Sequence, residues 1–434
     1  MRLKKFFDDE MRLFSIYDNE RSLPHAIDGF KPSQRKIIFG MLKRGESAPE
    51  LRVEAAANHI AAVSDYHHGA NGLVGTIAKM AQTFAGSNNI NLLMPNGQFG
   101  SRLDPQPGAG RYIFTEMSKN FRTMFKKEDD AILKFQYSDE LQIEPEMYYP
   151  VLPMLLVNGA SGTGTGFASE ILSYNPEDIR AACLASLNGK KQKPLIPWYR
   201  GFKGKIYRNE KQTVMEGTYE LVNTTTIRIT ELPIGVYQDD YKKHLNKLED
   251  EGVIKGYVDS STEDGFDFEV NIPRTTGYMD EETIMKTFKL IGRSTENFTC
   301  WGYDGKLKVF DTPNELVDYF VAYRLEKYEE RRLKQIEILN EDLNWATEKL
   351  RFIRFYLKNS NEFSKKKKSE LLELLEANKF VEVDRLLQIR IYSLTHDEIS
   401  KLEEEIKKIQ EEIDFLKSTS NKEIFTKELK ELKL

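Results

Sequence analysis

Cysteine is scarce in this chain of 434 residues: Cys183 and Cys300 are the only two, and neither belongs to a CxxC pair. That excludes a disulfide framework and a cysteine-built zinc site, and it suits a reducing compartment. Long apolar runs are missing too. The longest, Val151 to Val157, contains a proline and falls far short of the roughly 20 residues a membrane span needs, so no crossing of a bilayer is expected. The N-terminus, MRLKKFFDDE, places acids where a signal peptide carries its apolar core, so the chain is expected to stay in the cytoplasm. No GK[ST] follows Gly162, Gly164 and Gly166, which argues against a nucleotide-binding phosphate loop and for a tight backbone turn approaching another surface. No HExxH or DxD is present, and the adjacent His67 and His68 lack the spacing of a helical zinc pair. No metal ligands are expected in this chain.

What is present reads as a folded, well-solvated protein, 40% hydrophobic and 30% charged, and its length exceeds one ordinary core. The formal net charge of -5 hides an asymmetry: residues 1–127 carry 18 Lys and Arg against 12 Asp and Glu. A basic N-terminal third on an acidic remainder is the pattern of one module that meets phosphate.

Taken in order, Leu3, Phe6, Phe7, Met11 and Phe14 fall at helical spacing and predict an amphipathic helix packed on another surface. Pro24, Gly29 and Pro32 mark a turn, and from Ser33 the spacing of Ile37, Ile38, Met41 and Leu42 predicts a helix. Lys31, Arg35 and Lys36 crowd its start, where cations oppose the macrodipole and call for an anion or for solvent. Residues 51–86 read as helices broken at SDYHHGANG; the second carries Leu73, Ile77, Met80 and Phe84 on one side, with Lys79 and Gln82 on another. Helix, turn, helix and a short basic wing is the layout of a winged-helix module. Period-two stretches then follow at Thr226–Thr230, Phe266–Ile272 and Leu307–Val309, with a helical stretch at Asp239–Glu251 between, predicting a mixed α/β domain with an antiparallel sheet.

Beyond Pro313 the composition turns to Lys, Glu and Leu. Ile336, Leu339, Leu343, Ala346, Leu350, Ile353 and Leu357 advance by threes and fours, as do Ile399, Leu402, Ile406, Ile409, Ile413 and Leu416 behind a Thr395-x-x-Glu398 capping box. Two such strands in one chain predict an antiparallel coiled coil, its first helix spanning on the order of 65 Å. SKKKKS at 364–369 and FVEVDRLLQI would form a small helical knob at its tip.

Several ordered motifs together resemble one family, the DNA-cleavage subunit of type IIA DNA topoisomerases. They are IDGFKPSQRK at 27–36, YHHG at 66–69, GQFGSR at 97–102, RYIFTE at 111–116 and IEPEMYYPVLPMLLVNGASGTGTGF at 143–167. DNERSLP and GSNNINLL look nearer the eukaryotic enzyme than gyrase. The resemblance implies a multidomain α+β chain: a winged-helix DNA-cleavage domain at 1–140, a mixed α/β tower domain at 141–313, and a long antiparallel coiled coil at 314–434 with a small helical dimer gate near 359–395. It assigns Tyr112 as nucleophile, with Arg111 beside it and His68 near the scissile phosphate. Arg21, Lys31, Arg35 and Lys36 match DNA-backbone contacts, and Lys79 is a further candidate. One departure stands out. Thr163 occupies the position where the family usually presents an isoleucine that wedges between base pairs, so bending there is expected to be milder.

A phenol needs help to attack at neutral pH, which Arg111 and His68 would supply. The resemblance implies a 5'-phosphotyrosine intermediate that stores the energy of the broken bond. It also implies Mg²⁺ and ATP, both handled by separate partner subunits, and a homodimer of this chain that cuts double-stranded DNA for passage of a second duplex. Relaxation or decatenation is the expected outcome, and a bacteriophage or other viral source, acting at the nucleoid in the host cytoplasm, is the expected setting. The competing expectation is an architectural winged-helix DNA-binding protein in which Tyr112 is structural.

Overall fold

The computed structural model describes residues 3–210, 212–274, 279–363 and 365–433. They divide into two compact units, residues 1–324 with 428–434, and residues 325–427. The expected boundary at 140/141 falls instead in the turn of a hairpin, where Ser138 pairs with Leu141. The expected break at 313/314 marks only the start of a continuous helix, Pro313–Phe363, and the units divide later, at Arg324.

In the first unit the N-terminal helical segment forms, but a π-helical turn at Phe7–Met11 separates Leu3–Phe6 from Arg12–Ser22. Its apolar side is not packed within this chain: Leu3, Phe6, Phe7, Met11 and Phe14 are all exposed. The next helix, Pro32–Arg44, begins as the sequence dictates. Pro32 sits at its first position with φ already suited to a helix, and Gln34 Oε1 accepts the Lys31 N–H at 2.9 Å. Gly45, at φ 103°, ends it. Ile37, Ile38 and Met41 turn inward.

The turn before this helix is built around a buried carboxylate. Asp28 receives Arg35 Nε at 2.7 Å and Nη2 at 3.1 Å, together with the backbone N–H groups of Phe30 and Tyr148 at 3.0 Å each. One side chain thus ties the turn, the helix and a segment far along the chain. His25 lies beside it, with Nδ1 accepting the Ile27 N–H, while Ala26 N–H and Trp301 N–H exchange bonds with Trp301 O and Pro24 O.

Strand Leu51–Arg52 leads into helices Val53–Val63 and Ala70–Ala81, and strands Leu93–Asn96 and Phe114–Met117 follow. The three strands make one antiparallel sheet with Phe114–Met117 at its centre. The period-two regions form strands as predicted. Thr218–Asn223, Thr226–Glu231, Phe268–Asn271 and Gly256–Asp259 make a four-stranded antiparallel sheet in that spatial order. Helix Gln238–Asp250 covers it through Tyr241, Leu245 and Leu248.

In the second unit, helix Pro313–Phe363 continues with a non-helical residue at Asn359. Helix His396–Ser418 starts at Thr395, whose side chain accepts the Glu398 N–H, the N-cap half of the expected capping box. The two helices run antiparallel, with Arg332 bonded to Leu416 O and Lys349 paired to Glu398. Helices Lys368–Ala377 and Val383–Leu387 close a small core of Leu350, Ile353, Leu375, Phe380 and Leu386. Ser364 of the SKKKKS stretch lies outside the described residues.

Two outcomes follow from the Asp28 cluster. Removing the guanidinium strands a buried carboxylate, so Arg35→Met is expected to lower the unfolding free energy by about 3–5 kcal/mol in chemical denaturation; a loss below about 1 kcal/mol contradicts the structural role. His25 is pushed down from 6.5 to about 4, first by burial and then by the Arg35 charge. The unfolded imidazole therefore binds the extra proton between those values, and the stability present above pH 6.5 is lost as pH falls toward 4, by about 3 kcal/mol in all. His25→Gln should flatten that segment of the stability curve.

Candidate DNA-cleavage site

Tyr112 projects from a loop anchored at several points. Gly97 and Gly100 take φ of 100° and 91°, and Gly100 has no room for a side chain against Pro105 O. Gln82, at the end of helix Ala70–Ala81, donates to Phe99 O at 2.8 Å and Pro105 O at 2.9 Å. Arg102, buried, donates to Val236 O, Leu232 O and Pro233 O. Gly110 packs on Val74 and its carbonyl accepts the Glu54 N–H, while the Ile113 carbonyl accepts the Val53 N–H. Between these anchors Tyr112 is 70% exposed, next to buried Ile113 and just ahead of strand Phe114–Met117. The Arg111 guanidinium lies 4.9 Å from the centre of its ring. A fixed backbone with a free phenol beside a cation is what attack on a phosphodiester requires.

A second cationic place is formed by Lys31 and Lys79. Burial, and then the Lys79 charge, lower the Lys31 pKa, so the two ammonium groups sense one another. Lys31 Nζ donates to Ser161 O at 2.8 Å, on the hairpin formed by Ala160–Gly164 and Phe167–Ile171. This hairpin is the close approach that the glycines predicted: a Cβ on Gly162 would stand 2.0 Å from Ser22 O, and one on Gly164 would stand 2.3 Å from Asn19 Oδ1. Thr165 completes the clamp, donating its hydroxyl to Asp18 at 2.8 Å while its carbonyl accepts from Asn19 Nδ2. Thr163, paired across the hairpin with Ala168, is exposed.

His68 is exposed in the turn before helix Ala70–Ala81, with its Nε2 3.1 Å from the Tyr17 hydroxyl and its ring edge-on to Tyr66. Arg21, one turn on from Tyr17, lies 5.4 Å from the Tyr17 ring centre. His67 turns away to Asp65. His68 and Tyr112 share no hydrogen bond or ring contact among the described residues; what links them is helix Ala70–Ala81, which His68 precedes and on which Gly110 packs.

Two expected phosphate ligands are occupied elsewhere. Arg35 is buried on Asp28, and Lys36 donates to Ser64 O at 2.6 Å and Glu144 at 2.9 Å. Their charges face partners that the local sequence could not reveal, Asp28 being seven residues away and Glu144 far downstream. Sequence reasoning missed Asp18, Asn19 and Tyr17 for the same reason, although DNERSLP begins at Asp18. Among the described residues no group of three or more His, Cys, Asp and Glu could hold a metal ion. No helix among the described residues is long and apolar enough to cross a membrane.

Residues 21–432 match the family described as the A subunit of DNA gyrase/topoisomerase IV. DNA topoisomerase 2 of Arabidopsis thaliana is 38% identical over 394 residues, covering 88% of this chain and 26% of that protein. The mitochondrial DNA topoisomerase 2 of Dictyostelium discoideum is 34% identical, covering 99% of this chain and 35% of that protein. The chain thus spans only a minor part of these relatives' length. They are eukaryotic, in keeping with the reading of DNERSLP and GSNNINLL, and they lend nothing to a bacteriophage source. Among solved structures, the DNA-binding, cleavage and re-ligation domain of Plasmodium falciparum topoisomerase II superposes with a TM-score of 0.93 at 34% identity, covering 98% of this chain and 63% of that one. A sequence match over nearly the whole chain and the shared fold together identify it as a member of the DNA gyrase/topoisomerase IV A-subunit family.

Proposed function

We propose that this chain cuts and rejoins DNA as the cleavage core of an ATP-dependent type IIA topoisomerase, with Tyr112 as the attacking group. The observation that carries the reading is the exposed Tyr112 phenol on an anchored loop with the Arg111 guanidinium against its ring. The Tyr112 oxygen attacks a backbone phosphorus, the bond from phosphorus to the 3' oxygen breaks, and a 5'-phosphotyrosine forms. The phenol gives up its proton and the leaving 3' oxygen ends as a hydroxyl. Reversal returns both groups, so resealing needs no other energy source. Arg111 neutralises charge on the phosphate oxygens, and His68 donates a hydrogen bond to them.

Lys31, Lys79 and Arg21 bind the DNA backbone, and Thr163 faces the bases from its hairpin. The helix, strand, helix, helix, strand, strand order around Pro32–Met117 is that of a winged helix; the sheets after it form the tower, and the antiparallel helices with their small helical tip form a dimer gate. Two copies provide two tyrosines for two strands. The metal-binding carboxylates and the ATPase come from outside these residues; among the described residues no group of three or more His, Cys, Asp and Glu could hold a metal ion.

In the presence of its metal-bearing companion, Mg²⁺ and supercoiled DNA, detergent quenching should yield DNA covalently joined to this chain. Tyr112→Phe should abolish that adduct, and equal yields from both proteins would favour the architectural role. Lys31→Met should weaken DNA binding about tenfold and lower the salt slope by about one. Lys31 is partly buried beside Lys79 and also donates to Ser161 O, so the two effects oppose and the same change should move the melting temperature little; a marked drop would make Lys31 structural.

A further inference from the structure

The helix Arg12–Ser22 touches the candidate site at two places. Its last turns hold the glycine hairpin through Asp18 and Asn19, and one residue earlier Tyr17 reaches the loop that carries His68. The Tyr17 hydroxyl stands 3.1 Å from Nε2 of that imidazole, across 51 residues of sequence. The other flank of His68 is the edge-on Tyr66 ring, at 5.5 Å between centres. The Tyr17 ring is in turn covered by Arg21, a candidate phosphate ligand.

An imidazole has two ring nitrogens, and a neutral one donates through only one of them. Where Nε2 accepts from a hydroxyl, the ring proton must sit on Nδ1. We propose that Tyr17 is a positioning residue for His68: its hydroxyl donates to Nε2, fixes the ring and its tautomer, and leaves Nδ1–H as the donor to the phosphate that Tyr112 attacks. The inference rests on the role proposed above for His68. Tyr17 touches neither phosphate nor nucleophile in this scheme. It acts on the reaction only through the imidazole, while its ring gives Arg21 a surface to lie on.

Two measurements test this, and they fail separately. In the free chain with ¹⁵N-labelled histidine, at a pH where His68 is neutral, the His68 ring should show the Nδ1–H tautomer, and Tyr17→Phe should shift it toward Nε2–H. An Nε2–H tautomer in the unmodified chain overturns the proposal whatever the enzyme does. In the cleavage assay with the metal-bearing companion, Tyr17→Phe should slow adduct formation at saturating DNA about tenfold. The DNA dissociation constant should stay within about twofold, because the ring under Arg21 is kept. In a His68→Ala background the same change should have no further effect, since the two residues act as one unit. Equal losses in both backgrounds, or an unaltered rate in the first, overturn the positioning role. If Tyr112→Phe still forms adduct, the cleavage reading falls while the tautomer measurement keeps its meaning.

Discussion

The ion pair between Asp28 and Arg35 is the constraint on which the candidate site of the first unit depends. Both charges are buried, so neither could be left without the other, and Asp28 also accepts two backbone N–H groups, from Phe30 in its own turn and from Tyr148 far along the chain. The pair fixes where the helix Pro32–Arg44 starts. That start places Lys31 at the edge of the glycine hairpin, and the hairpin is clamped to the helix before the turn. Buried pairs of this kind add little net stability over an apolar replacement, yet they demand one arrangement of their neighbours. The gain is in geometry, which is what a site assembled from several separate loops needs.

Seven of the cations of the N-terminal third accordingly fall into two groups. Arg35, Lys36 and Arg102 face inward, each satisfied by carboxylates or carbonyl groups, and they shape the scaffold. Lys31, Lys79, Arg21 and Arg111 stay available at the surface or its edge. Only the second group leaves the charge uncompensated, and Lys31 shows the strain of it, held near another cation with part of its hydration removed. A phosphate would relieve that repulsion.

Much of this was legible in the chain. Hydrophobic period gave the helices and strands, Pro32 marked the start of one helix, and Thr395 marked the start of the returning helix. The glycines at 162 and 164 announced a close approach. Partners in space were not legible: nothing near Arg35 in the sequence says that its charge is spent on Asp28, and nothing near Tyr17 points to His68. The apolar stripe from Leu3 to Phe14 predicted a packed helix, and the helix formed without a cover in this chain, because periodicity reports that a face exists and not what meets it. Unit boundaries were equally opaque, since a helix can pass from one core to the next without any break in its pattern.

The return of residues 428–434 to the first unit makes the second unit an insertion, entered through one helix and left through another. Leu429 and Leu432 are buried there, and Arg180 donates to Leu432 O. During synthesis these residues emerge only after the whole of 325–427 has been made, so the outer body cannot finish folding before the inner one is available to fold. The unit that carries Tyr112 is thus completed after the other, and a chain interrupted during translation would leave that tyrosine on an unfinished scaffold.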